Sequence, residues 1–182
     1  SRVPRKIMTR RGTRMNWVGA FAPGMVGGRR AHPPKAEKIW DNKINEKERR
    51  KALRSAIAAT IIKEIVRERG HIVPDNYPFL LDDKFESIEK TKSALDSFRK
   101  IGLESELLRV EDRKVRAGKG KSRGRKYRTK KGPLIVVSKL DKLSNAVSNI
   151  PGMEVVYVIS LNSELLAPGG KPGRFTLWTS SA

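Results

Sequence analysis

A chain of 182 residues with +21 formal charge and 37% hydrophobic residues has material for one ordinary domain, but not for a core spread over its whole length. A pI near 10.7 calls for a polyanionic partner. No apolar run approaches the roughly 20 residues of a membrane span, and zero cysteines exclude disulfides and thiolate zinc sites.

Residues 1–38 hold ten basic residues and one acid. Gly12, Gly19, Gly24, Gly27, Gly28, Pro4, Pro23, Pro33 and Pro34 interrupt this stretch too often for a helix or a long strand. It reads as an extended arm, with Arg2, Arg5, Lys6, Arg10, Arg11, Arg14, Arg29, Arg30 and Lys35 as candidate phosphate contacts. Gly27-Gly28 would let the backbone approach a phosphate closely. Trp17 and Phe21 have no apolar partners at helical or strand spacing. They are read either as a hairpin tip packed on the body or as contacts to RNA bases.

One long helix is expected over 46–69, with Asn45 as N-cap and Glu48 three residues on. Its apolar stripe would be Leu53, Ile57, Ile61 and Ile65. Arg49, Arg50 and Arg54 lie off that stripe, either solvated or touching phosphates. Phe79 to Leu81 is a short strand candidate ended by Asp82 and Asp83. A helix over 87–101 would bury Ile88, Leu95 and Phe98, and a third near 104–114 would turn Leu107, Leu108 and Val115 inward.

Residues 109–131 carry twelve basic residues and two acids, whereas 39–108 carry fourteen and thirteen. Nineteen of the 21 excess positive charges thus fall in two stretches, and the balanced stretches hold the core-forming patterns. Unpartnered, such runs repel themselves. Arg116, Lys119, Lys121, Arg123, Arg125, Lys126, Arg128, Lys130 and Lys131 stand close enough for an extended chain to meet phosphates on both sides, and Tyr127 could stack on a base.

Leu134 to Val137 is an uninterrupted apolar run, as expected of a strand covered on both faces. An amphipathic stretch over 140–150 ends at Pro151-Gly152, and Val155 to Ile159 is a second apolar run. Strand, helix, strand implies parallel pairing. Residues 167–174 are turn-rich, and Phe175 to Trp178 is a last short strand. The fold class expected is α/β: a mostly parallel Rossmann-like sheet flanked by helices, with a long extended basic loop. Residues 1–38 form that loop, and 39–182 the body with a basic insertion at 116–131. Neither end has the ordinary start or finish of a sheet domain, so the sheet is expected to be incomplete at the N-terminus.

Enzymatic chemistry finds little support. Gly118-Lys119-Gly120-Lys121-Ser122 suggests a phosphate-binding loop, but Val115 stands where that motif needs its first glycine. His32 and His71 have no partner at metal-ligand spacing, and no nucleophile sits with a base. The chain is read as a binding protein with no cofactor, no metal and no small-molecule substrate. A chromatin protein would carry its charge on a recognition helix, an RNA-modifying enzyme would need a glycine-rich turn after a strand, and a membrane-surface protein would need a basic amphipathic helix.

The stretches GGRRAHPPK (Gly27–Lys35), RSAIAAT (Arg54–Thr60), RAGKGKSRGRKYRTKKGPLIV (Arg116–Val136), NIPG (Asn149–Gly152) and LAPGGKPGRFTLWT (Leu166–Thr179) together resemble the universal large-subunit ribosomal protein L-four family, archaeal and eukaryotic branch. The resemblance runs over essentially the whole chain. It implies an α/β domain on the outer face of the large subunit and a long loop reaching into ribosomal RNA toward the peptide exit tunnel. It also implies a structural, non-catalytic role in the cytoplasmic ribosome. Large-subunit ribosomal RNA, neighbouring ribosomal proteins and a nascent peptide would be the partners. By that resemblance residues 1–38 are part of the loop, Met15, Trp17 and Phe21 are candidate tunnel contacts, and the family's first strand and helix and its C-terminal tail fall outside this sequence.

Overall fold

The computed structural model describes residues 10–15, 21–24, 27–139 and 142–182, which fall into two units, 1–43 and 44–182. In the first unit, β1 (Arg10–Arg11) and β2 (Arg14–Met15) pair antiparallel, Arg10 opposite Met15 and Arg11 opposite Arg14. Arg14 and Phe21 are exposed. Arg2, Arg5, Lys6 and Trp17 lie outside the described residues.

The second unit is an α/β body. The predicted long helix is two, α1 (Glu46–Ile61) and α2 (Lys63–Glu68), broken at Ile62, whose φ of −82° and ψ of 108° are extended. Thr60, Ile61 and Ile62 are three β-branched residues in a row, and each crowds the turn before it. The break moves the buried face to Ala56, Ala59, Thr60 and Val66, leaving Ile61 and Ile62 largely exposed. Asn45 precedes α1 but makes no side-chain cap.

The chain continues through β3 (Leu80–Leu81), a 3-10 turn at Asp83–Ser87, α3 (Thr91–Lys100) and α4 (Glu104–Glu111). The second predicted helix thus starts later than expected. In α4 Glu106 and Val110 are buried and Leu107 packs half-buried against the core as expected, while Leu108 and, beyond the helix, Val115 are exposed, contrary to the expectation. Next comes a hairpin, β4 (Lys114–Val115) and β5 (Tyr127–Arg128). The unit closes with β6 (Leu134–Val137), α5 (Lys142–Val147), β7 (Glu154–Tyr157), α6 (Ser163–Leu166) and β8 (Thr176–Thr179).

The main sheet has the order β3-β8-β6-β7, and all its pairs are parallel. Strand β6 lies in its interior, every residue buried. Its alternation sorts two cores. Ile135 and Val137 join Phe175, Leu177, Phe98, Leu103 and Leu143 on one face. Leu134 and Val136 meet Ala56 of α1 and Leu166 of α6 on the other. Each fully buried aliphatic or Phe side chain contributes roughly 1.5–3 kcal/mol, so this sheet is the rigid platform of the second unit, from which the hairpin β4–β5 projects.

Candidate nucleic-acid interface

Open parallel sheets usually hold ligands beyond the carboxyl ends of their strands, where the chain switches direction across the sheet. Here that place lies between β6 and β8, and Glu86 fills it. Its Oε1 accepts the Ser138 amide at 2.9 Å and the Thr179 hydroxyl at 2.7 Å, and its Oε2 accepts the Ser138 hydroxyl at 2.9 Å. Burial pushes the Glu86 carboxyl up, but these bonds outweigh it and hold the group below the usual carboxylate range. The sheet's customary ligand crevice is thus closed by the protein's own side chain.

The charge lies elsewhere. Sequence spacing suggests an extended thread over 116–131, but the segment folds back as a hairpin. Lys114 pairs with Arg128 and Val115 with Tyr127, and the Arg116 amide donates to the Lys126 carbonyl at 2.8 Å. The tip turns at Gly118 (φ 81°) and Gly124 (φ 79°) around a 3-10 turn at Lys121–Arg123. Gly118 to Ser122 is therefore a hairpin tip and does not open a helix.

This register has an electrostatic consequence. Residues directly opposite share a face of the ribbon, so Lys114, Arg116, Lys126 and Arg128 line one face. Val115 and Tyr127 stand on the other, 56% and 49% exposed. That face is set by the backbone register; the side chains spread from it, Lys126 reaching round the ribbon's edge to put its Nζ 5.4 Å from the Tyr127 ring centroid and Arg116 Nε donating to the Arg125 carbonyl at 3.2 Å. Like charges opposite each other weaken a hairpin. A polyanion laid on that face would remove the repulsion.

Three groups of bonds fix the foot of the hairpin. Lys130 Nζ pairs with Asp112 Oδ2 at 2.9 Å across its two legs. Lys131 pairs with Glu154. Arg109 grips buried Glu106 through Nε–Oε2 and Nη2–Oε1 contacts of 2.7 Å each, and its Nη2 also donates to the Lys131 carbonyl at 2.8 Å. Glu106 further holds His71 Nδ1 at 2.7 Å and accepts the Ile72 amide at 2.9 Å. Burial raises the Glu106 carboxyl, but the donated bonds from Arg109, His71 and Ile72 prevail and keep it ionised below the usual range.

The exit of the hairpin is anchored on the sheet. The Gly132 amide donates to the Gly152 carbonyl at 2.9 Å. Fully buried Arg174 donates to the Gly132 carbonyl at 3.1 Å, to Glu154 Oε2 at 2.7 Å and to the Leu165 carbonyl at 3.0 Å. Glu154 thus faces two cations. Burial raises its carboxyl, and the bonds from Lys131 and Arg174 then take it below its ordinary value. In the neighbouring loop, Arg69 donates to the Pro168 carbonyl at 2.8 Å, to that of Pro172 at 3.3 Å and to that of Lys171.

These anchors shape a cleft of about 480 Å³ lined by Arg69, His71, Arg109, Lys114, Arg128, Thr129, Lys130, Lys131 and Lys171. Of the residues expected from sequence, it brings together Arg128, Lys130 and Lys131; the last two are already paired with acids. Sequence reasoning missed Arg69, Arg109, Lys114 and Lys171. Among the described residues Arg69 bonds to neutral carbonyls and to no carboxylate, so its charge is not cancelled there; burial and nearby Arg174 both lower its pKa. Lys119, Lys121, Arg123 and Arg125 are exposed around the tip. Arg29, Arg30 and Lys35 belong to the other unit and are also exposed. Among the described residues, no group of three His, Asp or Glu could hold a metal ion, and no helix is long and apolar enough to cross a membrane.

A model of the ribosomal protein L4/L1 family matches residues 2–182. Large ribosomal subunit protein uL4 of Archaeoglobus fulgidus is 49% identical over 183 residues, covering all of this chain and 70% of that protein. The uL4 of Nanoarchaeum equitans is 50% identical over 183 residues, covering all of this chain and 68% of that protein. The uL4 of Methanosphaera stadtmanae is 48% identical over 166 residues, covering 90% of this chain and 64% of that protein.

Proposed function

The chain belongs to the ribosomal protein L4/L1 family, and from that premise we propose that it is a structural constituent of the large ribosomal subunit that binds and stabilises large-subunit ribosomal RNA. The observation that carries the reading is the hairpin: four cationic residues fall, by register, on one face of a two-stranded ribbon whose foot is tied to α4 through Arg109 and to β7 through Glu154. Phosphates would lie along that face and enter the cleft at its foot, meeting Arg69, Arg128 and Lys171, with Lys119, Lys121, Arg123 and Arg125 at the tip. Affinity would come mainly from release of counterions, and the bidentate geometry of arginine would fix the backbone's orientation.

Residues 1–38 are read as the arm reaching toward the peptide exit tunnel. Arg2, Arg5, Lys6, Arg10, Arg11, Arg14, Arg29, Arg30 and Lys35 would hold RNA phosphates, and Met15, Trp17 and Phe21 would be the side chains nearest a nascent peptide. Neighbouring ribosomal proteins would complete the surroundings.

Replacing Lys114, Arg116, Lys126 and Arg128 together by alanine tests the reading. Binding to a large-subunit ribosomal RNA transcript should weaken, and the slope of log affinity against log salt should fall by about 3, at 0.7–0.9 per lost phosphate contact. An unchanged slope would show that these cations do not meet phosphates.

A further inference from the structure

A second site lies in the other unit, around Trp40. Every residue from 29 to 50 is exposed. Between 29 and 44 the backbone hydrogen bond found among the described residues is Lys38 N–H to the Lys35 carbonyl at 3.3 Å. Among the described residues the large apolar side chains of this stretch stand open: Ile39 is 84%, Trp40 70% and Ile44 66% exposed. An indole left in water forgoes a large burial gain, so an exposed aromatic in an extended segment of this kind is shaped for a partner.

The chemistry around the ring says which partner. Lys38 Nζ lies 4.6 Å from the Trp40 ring centroid and orients the ring from one face. The ring forms a wall of an open groove of about 820 Å³, whose lining carries three cations, Arg30, Lys35 and Lys38, against one carboxylate, Glu37, with His32 and Pro33 beside them. Pro33 and Pro34 have their φ fixed by the ring, which keeps the cations on either side of them from collapsing together. An aromatic face beside several cations on a stiff backbone matches an unpaired nucleotide: a planar base with a phosphate on each side. A duplex offers no free base face to an indole.

We propose that Trp40 is a base-stacking residue, taking an unpaired base of RNA on its free face while Arg30 and Lys35 hold the adjoining phosphates. The proposal rests on the RNA-binding reading above and adds to it a specific contact for single-stranded RNA, made by a residue outside both basic stretches.

The test is the affinity of the whole chain for a protein-free large-subunit ribosomal RNA transcript, measured across a salt series for Trp40→Ala, Trp40→Phe and Lys35→Ala. Trp40→Ala should raise Kd by roughly 5- to 100-fold with the salt slope unchanged, because stacking releases no counterions. Trp40→Phe should stay within about threefold of the parent, since it keeps a ring. Lys35→Ala should lower the slope by about 1. The fold is not at risk, because the side chain is exposed; an unchanged circular dichroism spectrum verifies this. A parental Kd for Trp40→Ala overturns the proposal while leaving the RNA-binding reading intact. A loss as large for Trp40→Phe as for Trp40→Ala also overturns it, since stacking is then not the contact. A Trp40→Ala defect that appears only when other ribosomal proteins are present makes the partner a protein and overturns it too. If the parent chain itself shows no salt-dependent affinity, the RNA-binding reading fails first.

Discussion

Arg109 holds Glu106 by two contacts of 2.7 Å in the interior of the body and, through the same Nη2, holds the Lys131 carbonyl at 2.8 Å. One buried ion pair therefore couples the packing of α4 to the position of the basic hairpin. The carboxylate is fully buried and each of its oxygens meets two partners, Arg109 and His71 at Oε1 and Arg109 and Ile72 at Oε2, so a proton on either oxygen would displace one of them.

Removing the carboxylate should be costly. Glu106→Ala leaves Arg109, His71 and the Ile72 amide without their acceptor, and breaking a buried pair from one side costs about 3–5 kcal/mol. Urea unfolding measures this through a lower midpoint at unchanged slope. A loss below about 1 kcal/mol would mean that the network is not what locks α4 to the hairpin.

The same network sets an acid limit. Glu106 and Glu154 both titrate below their ordinary values in the folded chain. A depressed folded value means that their stabilisation is complete above the unfolded Glu value of about 4.3, and that it is lost as pH falls through the folded values. Stability from urea melts should therefore decline with falling pH on the acid side, and Glu106→Gln should make that decline shallower. Stability that rises on acidification would contradict the assignment.

The turn that receives the hairpin exit is equally constrained. Gly152 has φ +70°, and a Cβ there would lie 2.2 Å from Val110 Cγ1 and 2.8 Å from the Lys130 carbonyl. Gly169 has φ +74° but nothing within 4 Å of a Cβ. Gly169→Ala should cost only the left-handed strain of about 1–2 kcal/mol. Gly152→Ala should cost clearly more, and the difference between their unfolding free energies measures the close packing. Equal losses would show that the hairpin exit is free to shift.

The body was legible because its strands are plain. The runs at 134–137 and 155–159 announce a parallel unit around α5, and the pairing of β6 with β7 and the α/β class follow from them, although the second strand ends at Tyr157 and Ile159, in the 3-10 turn after it, is exposed. Thr60-Ile61-Ile62 carried the signal for the helix break, but the apolar period ran through it and dominated the reading. The hairpin was harder. Its strands show little of the usual alternation of apolar and polar residues, since cations occupy one face, and only Val115 and Tyr127, on either side of a glycine-rich tip, hint at the pairing. The cleft could not be read from the sequence at all: Arg69, Arg109 and Lys171 come from three segments that only the folded sheet brings together. Trp40 was passed over because it lies between the two basic stretches, where neither charge nor period draws attention to it.

The central claim, that the basic segments are held in folded ribosomal RNA, is tested most directly by washing purified large subunits with rising salt and following this protein on sucrose gradients. Contacts enclosed by RNA should survive beyond roughly 0.5 M salt, where exposed charge pairs are largely screened, with one copy remaining per subunit. Early release, or fewer than one copy per subunit before any wash, would contradict the account and make the protein a surface-bound factor.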